Sequence, residues 1–100
     1  MTEFGITATA PGRFEAHGAM SYESAARALQ AGLVLIPHGS QCTIDLSKVS
    51  EADSAGLAVL VEWLATARLR KTTIHYEGIP AQILAVARIS DLDELLTDGK

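Results

Sequence analysis

Residues 45–57, Asp45 to Leu57, read DLSKVSEADSAGL. The stretch reads as the end of a buried strand, a short turn, and the start of a helix with a hydroxyl residue at its N-terminus. A helix N-terminus offers backbone N–H groups without intrahelical partners and a partial positive charge. A serine there can cap the helix, touch a partner or carry a phosphate. Either Asp53 or Ser54 suits the cap. Ser50, with Asp53 three residues on, offers a competing capping box, so the sequence leaves the helix start open.

Upstream, Cys42 to Leu46 (CTIDL) alternates, with Cys42, Ile44 and Leu46 on one face and Thr43 and Asp45 on the other. That pattern predicts a short strand, followed by the loop SKVSEADS. Downstream, a long helix is expected to about Leu69. Leu57, Leu60, Val61, Leu64 and Ala67 recur at helical spacing and form its inward stripe. Ala55, Val59, Glu62, Trp63 and Thr66 lie on a neighbouring face. Val59 and Trp63 are adjacent on that face, off the stripe. They are expected to be partly exposed and to continue a partner surface from Ser54, because tryptophan is enriched at binding anchors. Packing against a neighbouring helix of the same domain is the competing expectation.

The flanking sequence completes an alternation of strands and helices. Phe4 to Ala10 and Arg13 to Met20 are β-prone and meet at the turn signal Pro11-Gly12, so they read as a hairpin. Ser21 suits an N-cap, and Tyr22, Ala25, Ala26, Leu29, Gly32, Leu33 and Ile36 recur at helical spacing up to Pro37. Thr72 to Tyr76 is β-branched and aromatic, and Gly78 breaks it. Pro80 suits the first position of a helix carrying Ile83, Leu84, Val86 and Ala87. Ser90-Asp91-Leu92-Asp93 reads as a fresh cap for a last turn with Leu92, Leu95 and Leu96, then a polar tail. The expected order is β-β-α-β-α-β-α with a short final helix. It implies one α/β domain over residues 1–100, a small mixed sheet with helices packed mainly on one side.

Composition narrows the function classes. The chain has 100 residues, 48% of them apolar, so it can build one core without staples. The net charge is −4 and the eight basic residues form no stripe, which disfavours nucleic acid and anionic lipid as partners. One cysteine, Cys42, allows no internal disulfide and no cysteine metal cluster, and suits a small buried hydrophobe. The start MTEFGITATA lacks the pattern of a signal peptide, and no apolar run is long enough for a membrane span. A cytoplasmic chain without membrane insertion is therefore expected, held at any membrane by another subunit. His17, His38 and His75 lack ligand spacing, and the phosphate-cradling G-x-x-x-x-G-K pattern is missing. The expectation is a non-enzyme without cofactor or metal.

The segment TIDLSKVSEADSAGLAVLVEWL is similar to the central motif of STAS domains: an apolar strand ending in DLS or DLR, a short loop, then D-S-x-G-L opening a helix. The element order of nearly the whole chain resembles that family too. The resemblance implies binding of other proteins instead of turnover, with Ser54 as the regulatory position, Asp53 beside it and Gly56-Leu57 following. Asp53, Ser54, Ala55 and Gly56, with Val59 and Trp63, are the expected partner-binding and regulatory residues. In anti-sigma factor antagonists the hydroxyl at this position is phosphorylated by a partner kinase, which makes Ser54 a phosphorylation candidate. Asp45, Glu51 and Asp53, close in sequence, are expected to repel such a phosphate and so weaken a contact made by the free hydroxyl.

Those antagonists usually end with T-G-L-D and a basic, aromatic finish, whereas Arg88 to Leu96 here reads RISDLDELL. That ending and the helix GLAVLVEWLATAR look more like the STAS subunit of the Mla-type phospholipid transporter. The resemblance implies a partner in the ATPase of an ABC complex with its membrane permease, at the cytoplasmic side of the inner membrane, supporting outer-membrane lipid asymmetry. An anti-sigma factor kinase is the alternative partner.

Overall fold

The computed structural model describes residues 3–98. Met1, Thr2 and the expected polar tail at Gly99-Lys100 lie outside the described residues. Four strands and four helices follow in the order β1 (Gly5–Ala10), β2 (Arg13–Met20), α1 (Ala25–Leu35), β3 (Gln41–Ala52), α2 (Ser54–Leu69), β4 (Thr73–Glu77), α3 (Ala81–Ile89) and α4 (Asp93–Asp98). The expected α/β architecture holds.

The sheet has the order β1-β2-β3-β4. β1 and β2 form the antiparallel hairpin, turning at Gly12, whose φ of 73° suits glycine. β2, β3 and β4 run parallel, each joined to the next by a helix, α1 and then α2. Alternation sorts the strands into two faces. Phe14, Ala16 and Met20, then Cys42, Ile44 and Leu46, then Ile74 and Tyr76, are buried. The opposite face is polar: Glu15, Asp45 and Glu77 stand in register across β2, β3 and β4. Like charges side by side repel. Arg13 offsets this by pairing with Glu77 at 2.5 Å, and Lys48 lies 3.7 Å from Glu15. The Ser47 backbone N–H, 2.9 Å from the Asp45 carboxylate, holds that acid below the usual carboxylate range.

The middle helix, α2, touches α1 on one side and α3 on the other while lying over the sheet. It is therefore buried on more than one stripe. Gly56, Leu57, Val59, Leu60, Trp63, Leu64 and Ala67 are all buried, and Val61 is only half-buried. Val59 and Trp63 are 4% and 0% exposed, which overturns the expectation that they form an open surface. The α1 backbone accounts for it. Trp63 Nε1 donates to the Leu29 carbonyl at 3.2 Å, and the Trp63 and Phe4 rings lie 6.3 Å apart. A tryptophan off the sheet-facing stripe thus fills the seam between two helices.

Other boundaries differ for local reasons. β3 continues to Ala52 where a loop was expected after Leu46. β4 pairs only with Gln41–Asp45, whereas β2 accompanies β3 as far as Ala52. The second half of β3 is bonded on one side only, so it tolerates a polar, largely exposed sequence. Tyr22 is 84% exposed and lies outside α1, which begins at Ala25. The Ser21–Ser24 turn precedes it: Ser24 N–H donates to the Ser21 carbonyl, and Ser24 Oγ donates to the Ala19 carbonyl at 2.7 Å. Pro80 sits at the N-cap of α3, its carbonyl accepting from Ile83 and Leu84 N–H. Ser90, expected to open the last turn, instead ends α3, and Asp91 takes a left-handed φ of 59°.

Candidate functional site

The N-terminus of α2 is built by Asp53. Its backbone is extended, and its Oδ1 accepts the Ala55 N–H at 2.9 Å while its carbonyl accepts from Gly56 at 3.0 Å. This is the N-cap role, and Ser50 lies within β3, so the competing capping box does not form. The carboxylate also lies at the positive end of the helix dipole. Its second oxygen, Oδ2, accepts the Tyr22 N–H at 3.1 Å. One side chain therefore joins the start of α2 to the turn before α1.

Ser54 follows as the first helical residue and is exposed. The helix does not need its hydroxyl, because Asp53 already supplies the cap. Gly56 is buried where α2 passes the end of β2: a Cβ there would lie 2.7 Å from the Met20 carbonyl oxygen and 3.2 Å from Ile83 Cδ1. The glycine in D-S-x-G thus sets how closely the Ser54 end approaches the sheet. Ala55 is half-buried at the edge of the α1–α2 seam.

Of the expected site residues, the structure brings Asp53, Ser54, Ala55 and Gly56 together and turns Val59 and Trp63 inward. The exposed ridge of α2 instead continues from Ser54 through Ala58 to Glu62, four residues apart each time. A shallow groove runs on each side of it. The α2–α3 groove, about 370 Å³, is lined by Ser54, Leu57, Val61, Val86, Ser90 and Leu92. The α1–α2 groove, about 590 Å³, is lined by Ala25, Ala26, Leu29, Ala55, Ala58 and Val59. Tyr22, Glu23 and Glu62 edge it. Glu62 belongs to the α2 face that the spacing already set beside the inward stripe, whereas Tyr22 and Ala58 are surface residues that sequence reasoning does not single out. For Ala58, the i, i+4 spacing from the exposed Ser54 is the available signal.

Among the described residues, no group of three His, Cys, Asp or Glu side chains could hold a metal ion. No helix among them is long and apolar enough to cross a membrane. Cys42 is buried, and burial raises its thiol above the ordinary value.

A family model described as "Mlab, STAS domain" matches residues 7–97. Two solved structures share the fold. One is a sulfate transporter family protein from Wolinella succinogenes, with 20% identity and a TM-score of 0.63 over 86% of this chain and 70% of that one. The other is the anti-sigma factor antagonist SpoIIAA in its unphosphorylated form, with 10% identity and a TM-score of 0.63 over 86% of this chain and 82% of that one. No curated protein sequence matches the chain at a significant level. With the family model spanning nearly the whole sequence and the fold shared with these structures, the chain belongs to the STAS domain family.

Proposed function

We propose that this chain is a non-enzymatic accessory subunit that binds the cytoplasmic ATPase of an Mla-type ABC phospholipid transport complex, and reaches the inner membrane only through that partner. The carrying observation is Ser54: exposed at the start of α2 and relieved of capping by Asp53. A hydroxyl that the fold does not use is available to a partner, and the ridge Ser54-Ala58-Glu62 extends its surface. The Mlab description of the matching family model supports the transporter subtype. A standard interface, about 800 Å² on this side, would cover that ridge and much of both grooves. Such a subunit acts by its differential affinity for the conformations of the ATPase.

The test is recovery of partners from membranes with this chain as bait, followed by calorimetry. Recovery of an ABC ATPase with its permease, weaker binding by Ser54→Ala, weaker still by Ser54→Asp, and no ATP hydrolysis by the chain alone are the expected results. Normal binding by both variants would remove Ser54 from the interface.

A second reading, an anti-sigma factor antagonist switched by phosphorylation at Ser54, is favoured by the fold shared with SpoIIAA. A phosphate on Ser54 would add about two negative charges beside Asp53 and compete for the helix N–H groups. Recovery of a soluble serine kinase that modifies Ser54, with a transporter indifferent to the chain, would select it.

A further inference from the structure

The α1–α2 groove has a chemistry that the Ser54 end does not share. Four of its residues are alanines, at positions 25, 26, 55 and 58, so its walls are low. Leu29, half-buried, supplies the larger apolar surface between them, and Val59, buried, closes the floor beneath. Low walls let another helix approach closely and seat large apolar side chains between α1 and α2. The charged residues along it are Glu23 and Glu62, one from each side, both exposed, and no basic residue lines it. Tyr22, 84% exposed at the end of the groove, adds an aromatic ring of the kind enriched in protein interfaces.

We propose that this groove receives one amphipathic helix of a partner protein, its apolar face on Leu29 and the surrounding alanines and its lysine or arginine flanks against Glu23 and Glu62. The acid on each wall selects the occupant. A second copy of this chain, also at net charge −4, would bring its own Glu23 and Glu62 against these two. An anionic lipid headgroup would meet the same repulsion. A basic-flanked helix satisfies both walls and buries the apolar floor, which is the helix-in-groove mode of recognition. The proposal rests on the protein-binding reading above and assigns the chemistry of the partner segment.

The test titrates the full chain, followed by NMR, with a short helical peptide bearing a leucine face and lysine flanks. A second peptide carries the same leucines with glutamate flanks. The lysine peptide is expected to shift the resonances of Ala25, Ala58 and Val59 and to bind at least about tenfold more tightly than the glutamate peptide. Glu23→Lys with Glu62→Lys should invert that preference. Ala26→Arg, an exposed position on α1 away from Ser54, should abolish binding of the lysine peptide while leaving the circular dichroism and melting temperature unchanged. Equal affinity for the two peptides, shifts outside the groove, sedimentation of the free chain as a groove-mediated dimer, or binding to phosphatidylglycerol vesicles in place of peptide each overturn the proposal. Pulldowns separate it from the transporter reading. An ATPase lost with Ser54→Asp but retained with Ala26→Arg removes the groove as its docking site and leaves the transporter reading standing. A peptide held in the groove with no ATPase recovered keeps the groove and removes the transporter.

Discussion

The indole of Trp63 occupies the space in which residue 32 would carry a Cβ, and residue 32 is glycine. A side chain there would run into Cε2, Nε1 and Cζ2 of the ring. The pair is complementary: glycine in α1 gives up helix propensity so that the largest side chain of α2 can be fully buried against it. Trp63 is thereby part of the core. Its indole N–H, costly to bury alone, is paired with the Leu29 carbonyl.

Gly32→Ala should therefore destabilise the domain despite improving helix propensity. Overpacking costs about 1–3 kcal/mol, against a propensity gain of about 1 kcal/mol at most. Urea unfolding should show the loss. Trp63→Phe in the same chain should recover part of it, because a smaller ring frees the space. Additive effects of the two substitutions would refute the contact. The free protein should also emit with a blue maximum that acrylamide does not quench.

The two residues that open α2 should separate under mutation. Asp53→Ala removes a cap and the tie to Tyr22 N–H, and should cost about 0.5–2 kcal/mol. Ser54→Ala, which removes no cap, should stay within about 0.5 kcal/mol of the parent. Thermal melts of both variants check this. A larger loss for Ser54→Ala would mean that the hydroxyl serves the fold.

Gly56→Ala places a methyl against backbone, the Met20 carbonyl, which cannot rotate away. The helix must then lift from the end of β2. The expected result is a loss of about 1 kcal/mol or more, with altered amide exchange at Met20 and Ser54. A neutral melting temperature would show that the Ser54 end has room to spare.

Tyr76 should govern the alkaline limit of stability. Its hydroxyl donates to the Leu60 carbonyl at 2.7 Å, and burial raises its pKa well above 10.0. The folded state thus prefers neutral tyrosine. The stabilisation is complete below pH 10.0 and is lost as the pH rises from there through the folded pKa. Tyr76→Phe should cost about 1 kcal/mol at neutral pH for the lost bond. Its stability should fall less steeply than the parent's above pH 10.0, as urea midpoints on either side will show. Parallel curves would mean that Tyr76 ionises equally in both states.

The sequence by itself determined the order of elements and a small mixed sheet with helices packed mainly on one side. Both rest on local physics: alternation in Cys42–Leu46 and helical spacing in Leu57–Ala67. Asp53 and Ser54 were both legible as cap candidates because either side chain can bond the first turn. Only the folded backbone shows Asp53 in that role and Ser54 outside it. Tertiary structure also decided β3 beyond Leu46, since one-sided pairing with β2 lets a polar segment remain a strand. It decided Trp63 above all. Periodicity tells which residues share a face of α2, but not how many neighbours the helix has. With α1 beside it as well as the sheet beneath it, a second face is buried, and the ridge of α2 that stays exposed runs through Ser54, Ala58 and Glu62.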